Sequence, residues 1–293
     1  MKTIKKIFYI TLLGLFSIQT NAQVLDAPVK IVNRAWEKNE SGDGHVTNRP
    51  AIAYAHLREA DVFWATRIWR QLDLREKMNL PIYFPEYQVR DRISLTQVIW
   101  NAVVIENSIR AFNDENFTEP YTVAQIIAAT SDSSSMTVPS QLDPSIDSVV
   151  TSTRSFESKD VKKYVIKEDW FFDRQRSVLD VRIIGMCPMI DMYTVNNETG
   201  EQEYKGMKQL FWIYFPEARA VFARNEVYNR QNDAERRSYD DLFHKRFFAS
   251  YITKQENVFD RSIQDYEKGL NALIEAEKIK ENIFTFEQDL WEY

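Results

Sequence analysis

Across residues 61–85 large apolar side chains recur four apart: Trp64, Ile68 and Leu72, with Ala65 and Trp69 beside them. Arg67, Arg70, Asp73, Arg75, Glu76 and Lys77 fill the positions between and after them. A spacing of four places residues on one face of an α-helix, so the pattern predicts an amphipathic helix here. Its end falls at Asn79-Leu80-Pro81, because the residue before a proline is pushed out of helical φ/ψ. Pro81 and Pro85 then bracket an extended Ile-Tyr-Phe.

Further along, Ser94 and Gln97 have the spacing of a capping box, in which each side chain satisfies an orphan backbone N–H of the other residue. The stripe that follows is Leu95, Val98, Ala102, Ile105, Ile109 and Phe112, a second helix. Thr122 and Gln125 repeat the capping signal before a shorter helix through Ala129. Residues 164–172 read as a strand or a short helix. From 177 to 187 the alternation is cleaner: Leu179, Val181 and Ile183 on one face, Asp180, Arg182 and Ile184 on the other, a strand. Asn196, Asn197 and Gly200 mark a turn, and residues 208–215 form a nearly continuous apolar strand, an antiparallel neighbour of the first. Pro216 opens a short helix carrying Ala218, Ala220 and Val221. Residues 233–248 read as a polar amphipathic helix.

The last long helix is predicted over 258–283. Phe259, Ile263, Tyr266, Leu270 and Leu273 alternate four and three apart, two heptads that fall short of a coiled coil and pack on the protein's own sheet. Gly269 interrupts it at a cost of about 1 kcal/mol relative to Ala. The fold class expected is α+β. A helix-rich N-terminal half precedes a small antiparallel sheet with packing helices in the C-terminal half.

Punctuation divides the chain. Lys2, Lys5 and Lys6, an apolar run from Ile7 to Ile18 and Thr20-Asn21-Ala22 make residues 1–22 a secretory signal peptide. Gln23, not cysteine, follows the cleavage site, so no lipid anchor is expected. Residues 23–55 are an irregular N-terminal arm, 56–129 a helical lobe, and 159–293 an α+β lobe with a C-terminal helix and aromatic tail. Residues 130–158, crowded with Ser, Thr and Asp, are a flexible linker or long loop between lobes, or an ordered excursion over one domain.

The chain carries 37 basic and 43 acidic residues, a net charge of −6, and the leader would remove three lysines and no acid. That disfavours nucleic acid or an anionic membrane surface as the main partner. No direct membrane span is expected. A single cysteine, Cys187, rules out an intramolecular disulfide, so stability rests on a core to which a 44% hydrophobic composition is suited. Seven glycines leave no Gly-rich phosphate loop.

Chemistry-bearing patterns are sparse. The three histidines, His45, His56 and His244, form no His-Glu-x-x-His pair, and there is no Cys-x-x-Cys, Walker A loop or Gly-x-Ser-x-Gly elbow. Asp240 and His244, four apart, read as a surface pair rather than metal ligands. Glu168, Asp169 and Asp173 offer carboxylates for acid–base work, but Arg174 and Arg176 beside them favour ion pairs. No catalytic, cofactor-binding or metal-binding residue is assigned, and no cofactor. Tryptophans supply the remaining candidates, since they serve as interface anchors as well as core. The candidate interface residues are Trp36, Trp64, Trp69, Trp170 and Trp291, foremost Trp36 in the arm and Trp291 in the tail.

The run at 61–85, with its tryptophans and Asp-Leu-Arg-Glu-Lys-Met-Asn, resembles the signature segment of the GldN/PorN family, periplasmic components of the type IX secretion and gliding machinery of Bacteroidota. Similar blocks are Glu168-Asp169-Trp170-Phe171-Phe172-Asp173 followed by Arg176-Ser177-Val178, then Arg182-Ile183-Ile184-Gly185, Tyr214-Phe215-Pro216-Glu217-Ala218-Arg219, and the tail 287–293. Residues 24–50 and the Ser-rich segment match nothing. The resemblance implies a non-enzymatic ring subunit, associated with the outer membrane through a lipoprotein of the GldK/PorK type and touching the periplasmic extension of the GldM/PorM motor. It also implies a homo-oligomeric ring within that complex. The other classes are a secreted or periplasmic hydrolase built on carboxylates near Glu168 and Asp173, and a periplasmic chaperone or binding protein.

Overall fold

In a computed structural model the residues described are 50–89, 92–130, 132–139, 147–154, 156–195, 202–229 and 237–290. In chain order the first elements are strand β1 (Val62–Asp73), helix α1 (Leu80–Tyr83) and helix α2 (Leu95–Trp100), which continues as a wider π turn over Asn101–Ile105. Short strands β2 (Ala111–Phe112) and β3 (Pro120–Tyr121) lead to α3 (Val123–Thr130). Then come β4 (Asp132–Pro139), β5 (Asp147–Arg154), β6 (Val161–Asp173), β7 (Val178–Val195), β8 (Gln202–Gln209) and β9 (Trp212–Tyr214). Helix α4 (Phe215–Arg224), strands β10 (Glu226–Val227) and β11 (Arg237–Ser238), helix α5 (Tyr239–His244), strand β12 (Tyr251–Gln255), and helices α6 (Ile263–Tyr266) and α7 (Leu270–Asp289) complete it.

Eight of these strands form one antiparallel sheet in the order β12-β1-β6-β7-β9-β2-β3, with β8 also paired to the far end of β7. The helix-rich N-terminal half expected from the sequence is therefore wrong. Among the described residues the protein is sheet-rich, its helices are few and mostly short, and the segment read as a signature helix is β1, an interior strand between β12 and β6. The physical reason lies in the spacing. Four is a multiple of two, so Trp64, Ile68 and Leu72 share one face of a strand as surely as one face of a helix. Val62, Phe63, Trp64, Thr66, Ile68 and Trp69 are β-branched or aromatic, which suits the pleated surface. The decision is made by β6, which pairs with β1 from Val62↔Asp173 to Asp73↔Lys163. Residues 164–172, open between strand and helix, are strand for the same reason.

The sheet buries both faces of its central strands. On one face Leu72, Tyr164, Ile166, Ile183 and Met186 meet Leu95, Val98 and Ile99 of α2, Phe215 and Phe222 of α4, and Phe243 of α5. The phenylalanines pack ring against ring, with Phe215–Phe222 and Phe215–Phe243 centroids 5.6 Å apart. Each such side chain contributes about 1.5–3 kcal/mol on burial. Further along that face Ile68 and Ile252 pack with Ile263 and with Ala276, Ile279 and Ile283 of α7. The opposite face holds Trp69, Val165 and Cys187 against Phe112 and Trp212. There Phe117 lies so close to the sheet that a Cβ on Gly185 would come within 2.5 Å of its ring, which accounts for a glycine in mid-strand.

Other expectations fare variously. The Ser94–Gln97 and Thr122–Gln125 pairs make their reciprocal hydrogen bonds at the starts of α2 and α3. From Val178 onward the strand predicted at 177–187 lies within β7, where Gly185 and Met186 pair antiparallel with β9, and Pro216 does sit in the first turn of α4. The apolar run at 208–215 is split, ending β8 and forming β9. The Ser-rich stretch contributes β4 and β5, paired to each other from Asp132↔Arg154 to Pro139↔Asp147. The turn at 196–200 and the signal peptide lie outside the described residues. The helix expected over 233–248 shortens to α5, since Arg237 and Ser238 are strand.

The helix expected over 258–283 is broken into α6 and α7 at Gly269, whose φ of +62° stands immediately before α7. Of the heptad positions only Ile263 is buried; Phe259, Tyr266, Leu270 and Leu273 are exposed. Gly269 is thus a start signal rather than an interruption. Its conformation is one that a side chain strains, so Gly269→Ala should destabilise the fold by about 1–3 kcal/mol. Urea unfolding measures this; an unchanged midpoint would contradict the assigned backbone.

Candidate interaction surface

The charged positions of the central strands are engaged in structural pairs. Arg67 on β1 donates twice to Asp169 on β6, at 2.6 and 3.0 Å, directly across the ladder. Glu168 is fully buried, held by the Arg246 guanidinium at 3.0 Å and by the indole N–H of Trp170 at 2.9 Å. Asp173 accepts from Arg176 at 2.6 Å and from the Gln175 backbone N–H at 2.9 Å, closing the β6–β7 turn. The Arg176 guanidinium beside Asp173 holds its carboxyl below the usual carboxylate range. Glu168 and Asp173 are five residues apart on a regular strand, so they face opposite sides of the sheet and cannot converge on one substrate.

Asp240 and His244 do not converge either. Asp240 is buried in a two-bond pair with Arg219, 2.8 and 3.1 Å, while His244 lies beside the Tyr54 ring, centroids 6.0 Å apart. The Arg219–Asp240 pair straps down the segment entering the fold. Asp240 accepts from the Ile52 N–H, Arg219 donates to the Ile52 carbonyl, and the Arg219 guanidinium sits 4.0 Å from the centre of the Tyr54 ring. Burial pushes the Cys187 thiol up to about 12, so it stays protonated near neutral pH.

The tryptophans divide. Trp69 is 7% exposed, its indole N–H bound to Glu115 at 2.9 Å and its ring flanked by the ammonium groups of Lys254 and Lys167, 4.4 and 5.6 Å from the centroid. Lys167 is itself buried and donates to the Glu115 carbonyl at 2.8 Å, and burial lowers its pKa. Trp64 is half-buried against Phe286 of α7, and Trp170 is half-buried over Glu168. Trp36 and Trp291 lie outside the described residues.

One exposed apolar surface lies away from these tryptophans. Immediately after β1, Leu80, Pro81, Phe84 and Pro85 join Val89 and Tyr228 in a groove of about 740 Å³. Phe84, Val89 and Tyr228 are 48%, 56% and 43% exposed, large values for apolar side chains gathered in one place. The charged side chains lining this groove are Lys77 and Arg92, the latter over the Tyr228 ring at 4.8 Å. The chain positions the groove firmly. Asn79, fully buried, donates to the carbonyls of Asp73 and Ala249 and accepts the Ala249 N–H, so α1 is pinned to the end of β1. Sequence reasoning stopped at the prolines as helix punctuation. The available signal was a phenylalanine set against a proline, Phe84-Pro85, just after Ile82 has entered the core.

Two measurements check these roles. Arg246→Ala leaves the Glu168 carboxylate buried without its cation and should cost about 3–5 kcal/mol, with Glu168→Gln in the same chain recovering part of the loss. For Asp173 the folded-state pKa is depressed. Its contribution is therefore present above the ordinary carboxylate pKa near 4 and is lost as pH falls through the folded value. Asp173→Asn should lower the thermal midpoint at pH 7, and the gap to wild type should close as pH falls below about 4. A gap that is constant with pH would contradict the pairing with Arg176.

Residues 57–292 match the family model described as gliding motility associated protein GldN. Comparison with curated proteins gives no match.

Proposed function

We infer the role of this chain from its membership: it belongs to the family of gliding motility associated protein GldN. It is a gliding-motility component. The finer reading is a non-enzymatic assembly subunit of the type IX secretion and gliding machinery, exported by its N-terminal leader and held at the periplasmic side of the outer membrane. Its partners in this reading are a lipoprotein of the GldK/PorK type, with which it builds a ring, and the periplasmic extension of the GldM/PorM motor.

One observation carries the reading. The match spans nearly all described residues and takes in the segment after β1, where apolar side chains gather on the surface as a partner's contact would require. One further feature supports it. Glu168, Asp169 and Asp173, the carboxylates considered for acid–base work, are engaged in Arg67–Asp169, Arg246–Glu168 and Arg176–Asp173 pairs.

Deleting the gene should abolish surface gliding and type IX export, and restoring it should recover both. Affinity-tagged protein recovered from solubilised envelopes should bring down an outer-membrane lipoprotein in fixed stoichiometry. A deletion strain that glides and secretes normally contradicts the reading.

A further inference from the structure

We propose that the groove after β1 receives residues 287–293 of a second copy of this chain, so that copies join head to tail. The inference deepens the assembly-subunit reading and rests on it. The groove presents Phe84, Val89 and Tyr228 to solvent and is lined by Lys77 and Arg92, with no acidic residue among the described lining. Two basic side chains beside exposed apolar ones complement an acidic, aromatic segment of another copy.

Residues 281–293 are the complement. They hold Glu281, Glu287, Asp289 and Glu292 with no Lys or Arg, interleaved with Phe284, Phe286, Trp291 and Tyr293. The placement of these acids is locally unfavourable. Glu287 and Asp289 stand in the last turn of α7, at the negative end of the helix dipole, and that turn carries no basic residue. Cations supplied by another molecule would offset this. Phe284, 57% exposed on the same helix end, adds apolar surface beside them.

Distance excludes the chain's own tail as occupant. Phe286 packs on Trp64, ring centroids 4.7 Å apart, near the start of β1. The groove begins beyond Asp73 at the other end, where Asn79 holds α1 to the strand. Nine residue steps of strand lead from Trp64 to Asp73, about 30 Å. Residues 290–293, even fully extended, cover about 14 Å. The contact therefore joins two molecules through unlike surfaces, the kind of interface that propagates around a ring or along a filament.

The test uses the mature full-length protein in sedimentation velocity. Wild type should associate in a concentration-dependent manner. Lys77→Glu with Arg92→Glu, and separately Trp291→Ala with Glu292→Lys, should each weaken association by more than about tenfold, with unchanged circular dichroism. Mixing the two variants leaves one intact groove facing one intact tail, so 1:1 dimers, and nothing larger, should reappear. A synthetic peptide of residues 284–293 gives a second readout. It should bind wild type saturably, and binding should be lost in the Lys77→Glu, Arg92→Glu protein. Association unaffected in both variants, a mixture that stays monomeric, or a peptide that does not bind would overturn the proposal. Any of these leaves the gliding role to stand or fall on the deletion phenotype.

Discussion

Everything in this molecule hangs on the pairing of β1 with β6. The ladder runs almost the full length of both strands and brings together sequence blocks a hundred residues apart. Each cross-strand pair has a task. Ile68 opposite Glu168 and Leu72 opposite Tyr164 point into the helix-covered face, while Trp69 opposite Lys167 and Gln71 opposite Val165 point into the other. Arg67 opposite Asp169 ties the two strands with a bidentate pair that is about one-third exposed on each side, so it specifies register more than it stabilises. A slip of one residue would put Trp69 and Lys167 on the helix side and open both cores at once.

From that ladder the surface follows. The end of β1 is fixed by Asp73, whose carboxylate takes Arg75 at 2.6 Å, and by the buried Asn79 bridging to Ala249. The chain beyond turns outward through Leu80–Tyr83, carrying Phe84 into the groove. At the opposite end of β1 the C-terminal helix closes over Trp64 with Ile279 and Ile283 seated on the sheet, which sends its acidic last turn away from the groove. The two unlike surfaces that the assembly reading needs are thus placed at the two ends of one strand.

Much of this was legible in the residues, and the gaps have physical causes. Local signals that are satisfied within a few residues were read correctly, as with Ser94–Gln97 and Pro216, because their hydrogen bonds or fixed φ need nothing distant. The fold class was misread because Trp64, Ile68 and Leu72 obey both periods, and only β6 breaks the tie. Gly269 looked like a flaw because its neighbours match a heptad, yet Phe259, Leu270 and Leu273 stay exposed and the glycine starts a helix at positive φ. Trp69 could be named but not placed, since its partners Glu115, Lys167 and Lys254 come from three separate segments. The groove was missed altogether, because Tyr228 and Arg92 meet the signature segment only in the folded chain.

The central claim, an assembly subunit whose copies meet groove to tail, is tested most directly by disulfide trapping in gliding cells. Cys187 is fully buried with its thiol held protonated, so a cysteine-directed experiment starts from a silent background. A chain carrying both Phe84→Cys and Trp291→Cys, expressed in place of the native one, should yield under mild oxidation a ladder of covalent oligomers that neither single substitution gives. Cells that glide normally while the doubly substituted chain remains monomeric under the same oxidation would contradict the account.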